Sequence, residues 1–262
     1  MKRSIAFALT LMCAVALLGA TTSHWLNGRL IFHDDGTTQE TILAVAPVTI
    51  YDDFVYNTAA STPWANTWKV TDDNTGTLTV SAAILGTGVI TTNTTATDTN
   101  DVASELVWEA SKSCGMEARV SQGDVDATAL VVGFTDSQSE SAGLLPVGLS
   151  AVTLTTTASD CAVFYQDAAA TTDDIRCVSV KANVDGTAHT TSTTLTDADY
   201  HVYRVEINAS GDVDYWLDGV HIATDTAAIT TTADLCAYVG GANREAAVNT
   251  FLIDYIRVWE GR

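Results

Sequence analysis

Between residues 200 and 207 two sets of side chains alternate along the chain: Val202, Arg204 and Glu206 interleave with Tyr203, Val205 and Ile207. Successive side chains of a strand point to opposite faces, so this period of two predicts a strand with one face in a core. Runs with similar β-branched and aromatic content occupy residues 78–80, 106–108, 116–120, 129–134, 162–165, 175–180, 213–217, 235–239 and 251–259. Past the N-terminal segment no stretch sustains a helical period, and only three prolines interrupt the chain. Short apolar runs divided by polar turns predict an all-β fold, an antiparallel two-sheet sandwich with little helix.

The turns agree with this reading. Asn27-Gly28 separates Trp25-Leu26 from Arg29-Leu30-Ile31-Phe32, and both residues tolerate the positive φ that a two-residue hairpin turn demands. Asp185-Gly186 and Asp218-Gly219 predict two more hairpins on the same grounds. The threonine-rich stretches 91–99 and 191–196 read as exposed strands or loops, because threonine suits a half-wet pleated surface.

Lys2 and Arg3 precede an apolar run over residues 5–20, followed by Thr21, Thr22 and Ser23. That is the layout of a secretory signal cleaved after Ala20, and the run falls short of the roughly 20 apolar residues a spanning helix needs. The chain is therefore divided into a signal-like segment (1–20), an N-terminal hairpin arm and linker (21–47) and one sandwich (48–262). All-β domains of this length are ordinary.

With 32 acidic against 12 basic residues, the formal charge is -20, which repels phosphate backbones and anionic membranes and argues against nucleic acid as a partner. Removing residues 1–20 takes Cys13 and leaves four cysteines, an even number that suits an oxidising compartment. Cys161 and Cys177 flank the polar stretch 167–174 and would face each other across a hairpin centred near residue 169. Cys114 and Cys236 are then left to pair. Buried free thiols are the alternative reading. No CxxC or Cys/His cluster with zinc spacing occurs.

Tyr200-His201-Val202-Tyr203-Arg204-Val205-Glu206-Ile207, then Val213-Asp214-Tyr215-Trp216-Leu217-Asp218-Gly219-Val220, and finally Phe251-Leu252-Ile253-Asp254-Tyr255-Ile256-Arg257-Val258-Trp259 resemble the closing strands of concanavalin A-like lectins and glucanases. In that superfamily a strand ending in a D-G turn precedes a last strand of the form D-Y-x-R-V, and Ile50-Tyr51-Asp52-Asp53-Phe54 resembles its first core strand. The resemblance spans about residues 48–260 and implies a jelly roll. A second resemblance, carried by Trp25-Leu26-Asn27-Gly28-Arg29-Leu30-Ile31-Phe32-His33-Asp34 ahead of the Tyr-Asp-Asp-Phe strand, is to jelly-roll accessory proteins of tailed-phage virions. The signal-like N-terminus departs from that second pattern.

Glycoside hydrolases of the first family carry E-x-D-x-x-E on one strand face, with the nucleophile and the acid about 5–5.5 Å apart. This chain has no such triplet, and Glu105 with Glu109 lacks the middle acid. No nucleophile elbow, phosphate-binding glycine loop or H-E-x-x-H is present either, so the expectation is a protein that is not an enzyme. Sugars stack on aromatic faces, which makes Trp64, Trp68 and Trp216 the candidate ligand-binding residues. The family resemblance also implies a structural Ca²⁺ held in part by Asp53 and Asp254, a hard cation that needs six to eight oxygens. The alternative pairs Asp254 with Arg257 or Arg119, or with backbone amides. The expected role is a virion structural protein, a capsid decoration or fibre-like jelly roll at the virion surface, docked on neighbouring subunits and touching surface glycans weakly. The alternatives are a secreted or periplasmic carbohydrate-binding module and, behind it, a divergent glycosidase.

Overall fold

The computed structural model describes residues 21–26, 29–34, 37–42, 48–54, 68–72, 76–81, 86–139, 144–150 and 152–261. They fall into two compact units, one within residues 1–47 and the other Val48–Gly261. In the first, β1 (Thr21–Leu26), β2 (Arg29–Asp34) and β3 (Thr37–Ile42) form an antiparallel sheet in the order β1-β2-β3. The expected hairpin is extended by a third strand, whose polar sequence Thr-Thr-Gln-Glu-Thr-Ile carries no apolar alternation. The signal-like segment and Asn27-Gly28 lie outside the described residues.

The second unit runs β4 (Val48–Asp52), β5 (Lys69–Asp72), β6 (Thr77–Ser81), β7 (Thr87–Thr91), β8 (Thr99–Ala103), β9 (Trp108–Glu109), β10 (Cys114–Gln122) and β11 (Thr128–Thr135). There follow β12 (Val147–Ser150), β13 (Thr153–Thr156), β14 (Cys161–Asp167), β15 (Asp174–Lys181), β16 (Val184–Asp185) and β17 (His189–Thr194). The chain closes with β18 (Tyr200–Ile207), β19 (Val213–Leu217), β20 (Val220–Asp225), β21 (Asp234–Asn243) and β22 (Thr250–Glu260). A single 3₁₀ turn, Ala110–Lys112, is the helical element among the described residues. None of their helices is long and apolar enough to cross a membrane.

These strands build the expected two-sheet antiparallel jelly-roll sandwich. One sheet has the order β20-β19-β18-β10-β22-β7-β6, with β4 also on β22; the other has the order β16-β15-β14-β11-β21-β8-β5, with β17 on β15 and β9 on β21. The alternation read on residues 200–207 holds: Tyr203, Val205 and Ile207 are buried between the sheets while Arg204 and Glu206 keep solvent contact. Met116, Ala118, Val120, Tyr215, Phe251 and Val258 from the first sheet meet Leu130, Val132, Phe134, Phe164 and Val239 from the second.

The second sheet has a further buried face. Val131, Cys161, Val163, Tyr165, Val180 and Tyr238 point away from the first sheet and are covered by Leu145 and Val147, with Leu149 and Leu154 of the β12–β13 hairpin packed against them. Strands buried on both sides read as continuous apolar runs, and β11 and β14 are buried at every position.

This arrangement corrects the disulfide expectation. The β14–β15 register sets Cys161 opposite Val180 and Cys177 opposite Phe164, so the hairpin is centred further along the chain than expected. Cys177 consequently lies between the sheets and Cys161 on the opposite face. Cys114 and Cys236 are divided in the same way, and all four are buried with none in a disulfide. Cys161 and Cys236 share a face but flank Thr135 on either side, two strand spacings of about 4.8 Å apart and beyond disulfide reach.

The turns divide similarly. Asp218 and Gly219, with φ of 51° and 79°, close the β19–β20 hairpin as expected. Asp185-Gly186 does not form the other predicted turn: Val180↔Asp185 and Lys181↔Val184 place it at Ala182 and Asn183, with φ of 49° and 64°.

Candidate functional site

The outward face of the first sheet carries an ordered row of side chains. Cross-strand partners run Tyr51↔Arg257, Arg257↔Glu117, Glu117↔Arg204, Arg204↔Trp216 and Trp216↔His221, over β4, β22, β10, β18, β19 and β20. Each of these residues retains solvent contact. Five inter-strand steps of about 4.8 Å give the row a length of roughly 24 Å.

Contacts along the row hold the rings and the planar polar groups in place. His221 meets Trp216 edge to face at 4.8 Å between centroids. The Arg204 guanidinium lies 5.9 Å from the Trp216 ring and 5.6 Å from that of Trp259, with Arg257 on Trp259 at 5.5 Å, within the range of cation–π attraction. Arg204 is also bonded to Glu206. Tyr51, 59% exposed, stacks on Tyr255 at 6.2 Å, and the Tyr255 hydroxyl donates to Glu117 Oε1 at 2.9 Å. Burial, followed by the Glu117 charge, pushes the Tyr255 phenol up and keeps it a donor.

A β-bulge shapes one end of this face. The β10–β22 register slips between Arg119 and Val120: Phe251 and Ile253 are buried before the slip, Ile256 and Val258 after it, and Asp254 and Tyr255 both stay partly exposed at it. Such a bulge re-aims a side chain, and here Asp254 Oδ2 accepts from Arg119 Nη1 at 2.7 Å. Arg119 also covers the Tyr200 ring at 4.2 Å.

The expected site residues are thus separated. Trp216 belongs to the outward row, pointing away from buried Tyr215 and Leu217. Trp68 corrects the expectation: it is a core residue, 2% exposed, whose Nε1 donates to Asp52 Oδ2 at 3.0 Å, so its ring has no free face to offer. Trp64 lies outside the described residues. Asp53 and Asp254 both lie close enough to Tyr51 to raise its phenol, after the larger effect of burial. One oxygen of this pair, Asp254 Oδ2, is taken by the Arg119 guanidinium, so a cation held in part by Asp53 and Asp254 would share that carboxylate and draw its remaining oxygens from backbone carbonyls or water. Among the described residues no group of three or more His, Cys, Asp or Glu side chains could hold a metal ion. Tyr51, Arg204, Arg257 and Trp259 were missed as site residues, although their polar or aromatic positions alternate with apolar ones in the sequence.

No protein-family model matches the chain. No curated protein matches it in sequence. Solved structures do. A Bacillus licheniformis beta-glucanase aligns over 81% of this chain and 98% of its own, at 14% identity and a TM-score of 0.54. By fold the chain is a jelly roll similar to that glucanase. Rv0315 of Mycobacterium tuberculosis, described as an immunostimulatory antigen and pseudo beta-1,3-glucanase, matches this jelly roll over 83% of the present chain and 100% of its own, at 13% identity and a TM-score of 0.55. The Emp46p carbohydrate recognition domain in its potassium-bound form covers 80% and 95%, at 9% identity and a TM-score of 0.53. Identities this low establish the jelly roll alone, and activity has to be argued from the site.

Proposed function

We propose that this chain is a carbohydrate-binding, lectin-like module without catalytic activity, and that it binds extended, neutral oligosaccharides on the outward face of its first sheet. The observation that carries the reading is the unbroken row Tyr51, Arg257, Glu117, Arg204, Trp216 and His221. Sugar rings present apolar C–H faces that stack on exposed aromatic rings, while their hydroxyl edges accept hydrogen bonds from guanidinium groups and donate them to carboxylates. Tyr51 and Trp216 supply the first kind of contact; Arg257, Glu117 and Arg204 stand between them to supply the second. A row of roughly 24 Å accommodates several sugar units.

The non-catalytic part of the reading rests on the absence of the E-x-D-x-x-E triplet from the sequence and on the second sheet's outward face being packed with Val131, Cys161, Val163 and Tyr165. The fold likenesses include a carbohydrate recognition domain and a protein described as a pseudo-glucanase, which supports this reading over the virion role. On this reading the signal-like residues 1–20 direct the module out of the cytoplasm.

A glycan array followed by calorimetry on an oligosaccharide series tests the proposal. Affinity is expected to rise with chain length from two to about five sugars and to fall at least tenfold in Trp216→Ala, about 1.4 kcal/mol or more. Absence of binding to every glycan, or binding indifferent to Trp216→Ala and Arg257→Ala, would overturn it.

A further inference from the structure

A cavity of about 630 Å³ opens at the side of the sandwich, where β15, β16 and β17 of one sheet approach β20 and the following loop. Its volume lies in the range of small-molecule sites. It shares no residue with the outward row.

A chain of hydrogen bonds connects its floor to the core. Ser179 Oγ lies 2.7 Å from the buried Tyr215 hydroxyl and donates to Asp225 Oδ2 at 2.9 Å. A serine hydroxyl has one hydrogen, so Tyr215 is the donor to Ser179. Asp225 Oδ1 is 2.7 Å from His189 Nε2. The carboxylate holds the proton on Nε2, which makes Nδ1 an acceptor in the neutral ring. Because Ser179 is bonded to the carboxylate and not to the imidazole, this is no Ser-His-Asp relay; it is a rigid support for one imidazole acceptor.

Across the mouth, Lys181 Nζ donates to Ala227 O at 2.8 Å and keeps two further N–H groups. Val184, Ala182, Ala227 and Ala228 supply aliphatic wall. Asp225 has His189 beside it, and Lys181 and Asp185 put opposite charges on the lining. An anionic ligand would meet Asp185 and Asp225, and a cationic one would meet Lys181. A compact neutral polyol, with donors for Nδ1, acceptors for Nζ and a C–H face for the alanines and valine, brings no charge of its own to be desolvated against this mixed lining.

We propose that this cavity is a second saccharide site that takes the terminal one or two residues of a neutral glycan. The proposal shares its ligand class with the reading above and stands on a different set of residues.

Amide chemical-shift mapping on the full chain tests it, with methyl glucopyranoside, methyl galactopyranoside, methyl mannopyranoside, maltose and cellobiose as probes and glucuronate and glucosamine as charged controls. At least one neutral probe should shift amides of residues 181–189 and 225–228. Trp216→Ala should leave this response intact, while His189→Ala and Thr226→Trp, the latter a plug at an exposed position, should weaken it at least tenfold. Shifts confined to the outward row, stronger binding of a charged control, or a response unchanged in both cavity variants would overturn this proposal alone. Silence of both regions toward every probe would overturn it together with the saccharide reading.

Discussion

The Trp259 indole covers the backbone of Gly115, its cross-strand partner: a Cβ on Gly115 would come within 2.4 Å of Trp259 Cζ2 and 2.5 Å of Cε2. Glycine is therefore required by close approach and not by backbone angle. The Trp259 ring in turn carries the Arg204 and Arg257 guanidinium groups, so a missing side chain on β10 sets the height of the outward row. Gly115→Ala should displace the indole, cost about 1–3 kcal/mol as overpacking and shift the tryptophan fluorescence. Oligosaccharide affinity should fall with it. An unchanged emission maximum and Tm would mean that the ring is not held there.

Asp167 and Arg244 tie the β12–β13 hairpin to the second sheet. Arg244 Nε and Nη2 donate to the two Asp167 oxygens at 2.8 and 2.6 Å, and Leu149 N donates to Oδ2 at 2.8 Å. The Asp167 side chain is fully buried whereas that of Arg244 is 26% exposed. Arg244→Ala strands a buried carboxylate and should cost about 2–3 kcal/mol, below the range for fully buried pairs because the arginine reaches solvent. Hydrogen exchange should accelerate first at β12 and β13. Exchange that rises uniformly across the sandwich would show that the pair does not anchor the hairpin.

How much of this was legible depends on which faces of a strand are wet. β18 has one buried and one exposed face, and its pattern could be read residue by residue. β11 and β14 are buried on both faces, so no alternation marks which way Cys161 points, and a small error in the hairpin centre exchanges the faces of a whole strand. The turn at Ala182-Asn183 was hidden because alanine does not advertise a positive φ, while Gly186 is needed for another reason: a Cβ there would meet Ser179 O at 2.7 Å. Asp254 reads from sequence as a calcium ligand, with pairing to Arg257 or Arg119 as the alternative, and the choice of Arg119 was hidden because the bulge that turns Asp254 toward it depends on β10. The His189–Asp225–Ser179 cluster joins the neighbouring strands β15 and β17 to the distant β20, and no local motif signals it.

The four thiols give a direct test of the corrected cysteine assignment. Burial pushes the Cys114 thiol up to about 12, with the Glu260 charge adding to it, and burial beside Asp225 raises Cys177 further. Thiols held protonated and inaccessible react slowly. An aromatic disulfide reagent should label none of the four in the native protein within minutes and all four after denaturation, and a reducing agent should leave Tm unchanged. A Tm that drops under reduction would reinstate a disulfide.

Asp212 couples acid stability to the side cavity. Its carboxylate accepts from Asn208 Nδ2 at 2.9 Å and from Ala227 N at 2.7 Å, and these bonds, the first foremost, hold its pKa below the usual 3.8. A depressed folded-state pKa adds stability that is complete above the unfolded value and is lost as pH falls through the folded one. Asp212→Ala should therefore lower Tm by a constant amount at neutral and mildly acidic pH, and its gap from the parent should close below pH 3.8. Because Ala227 lines the cavity, the same variant should weaken the response of residues 225–228 to the neutral sugar probes while leaving the outward row's oligosaccharide binding intact. A Tm gap that persists undiminished well below that pH would show that the carboxylate's charge is not what secures the loop.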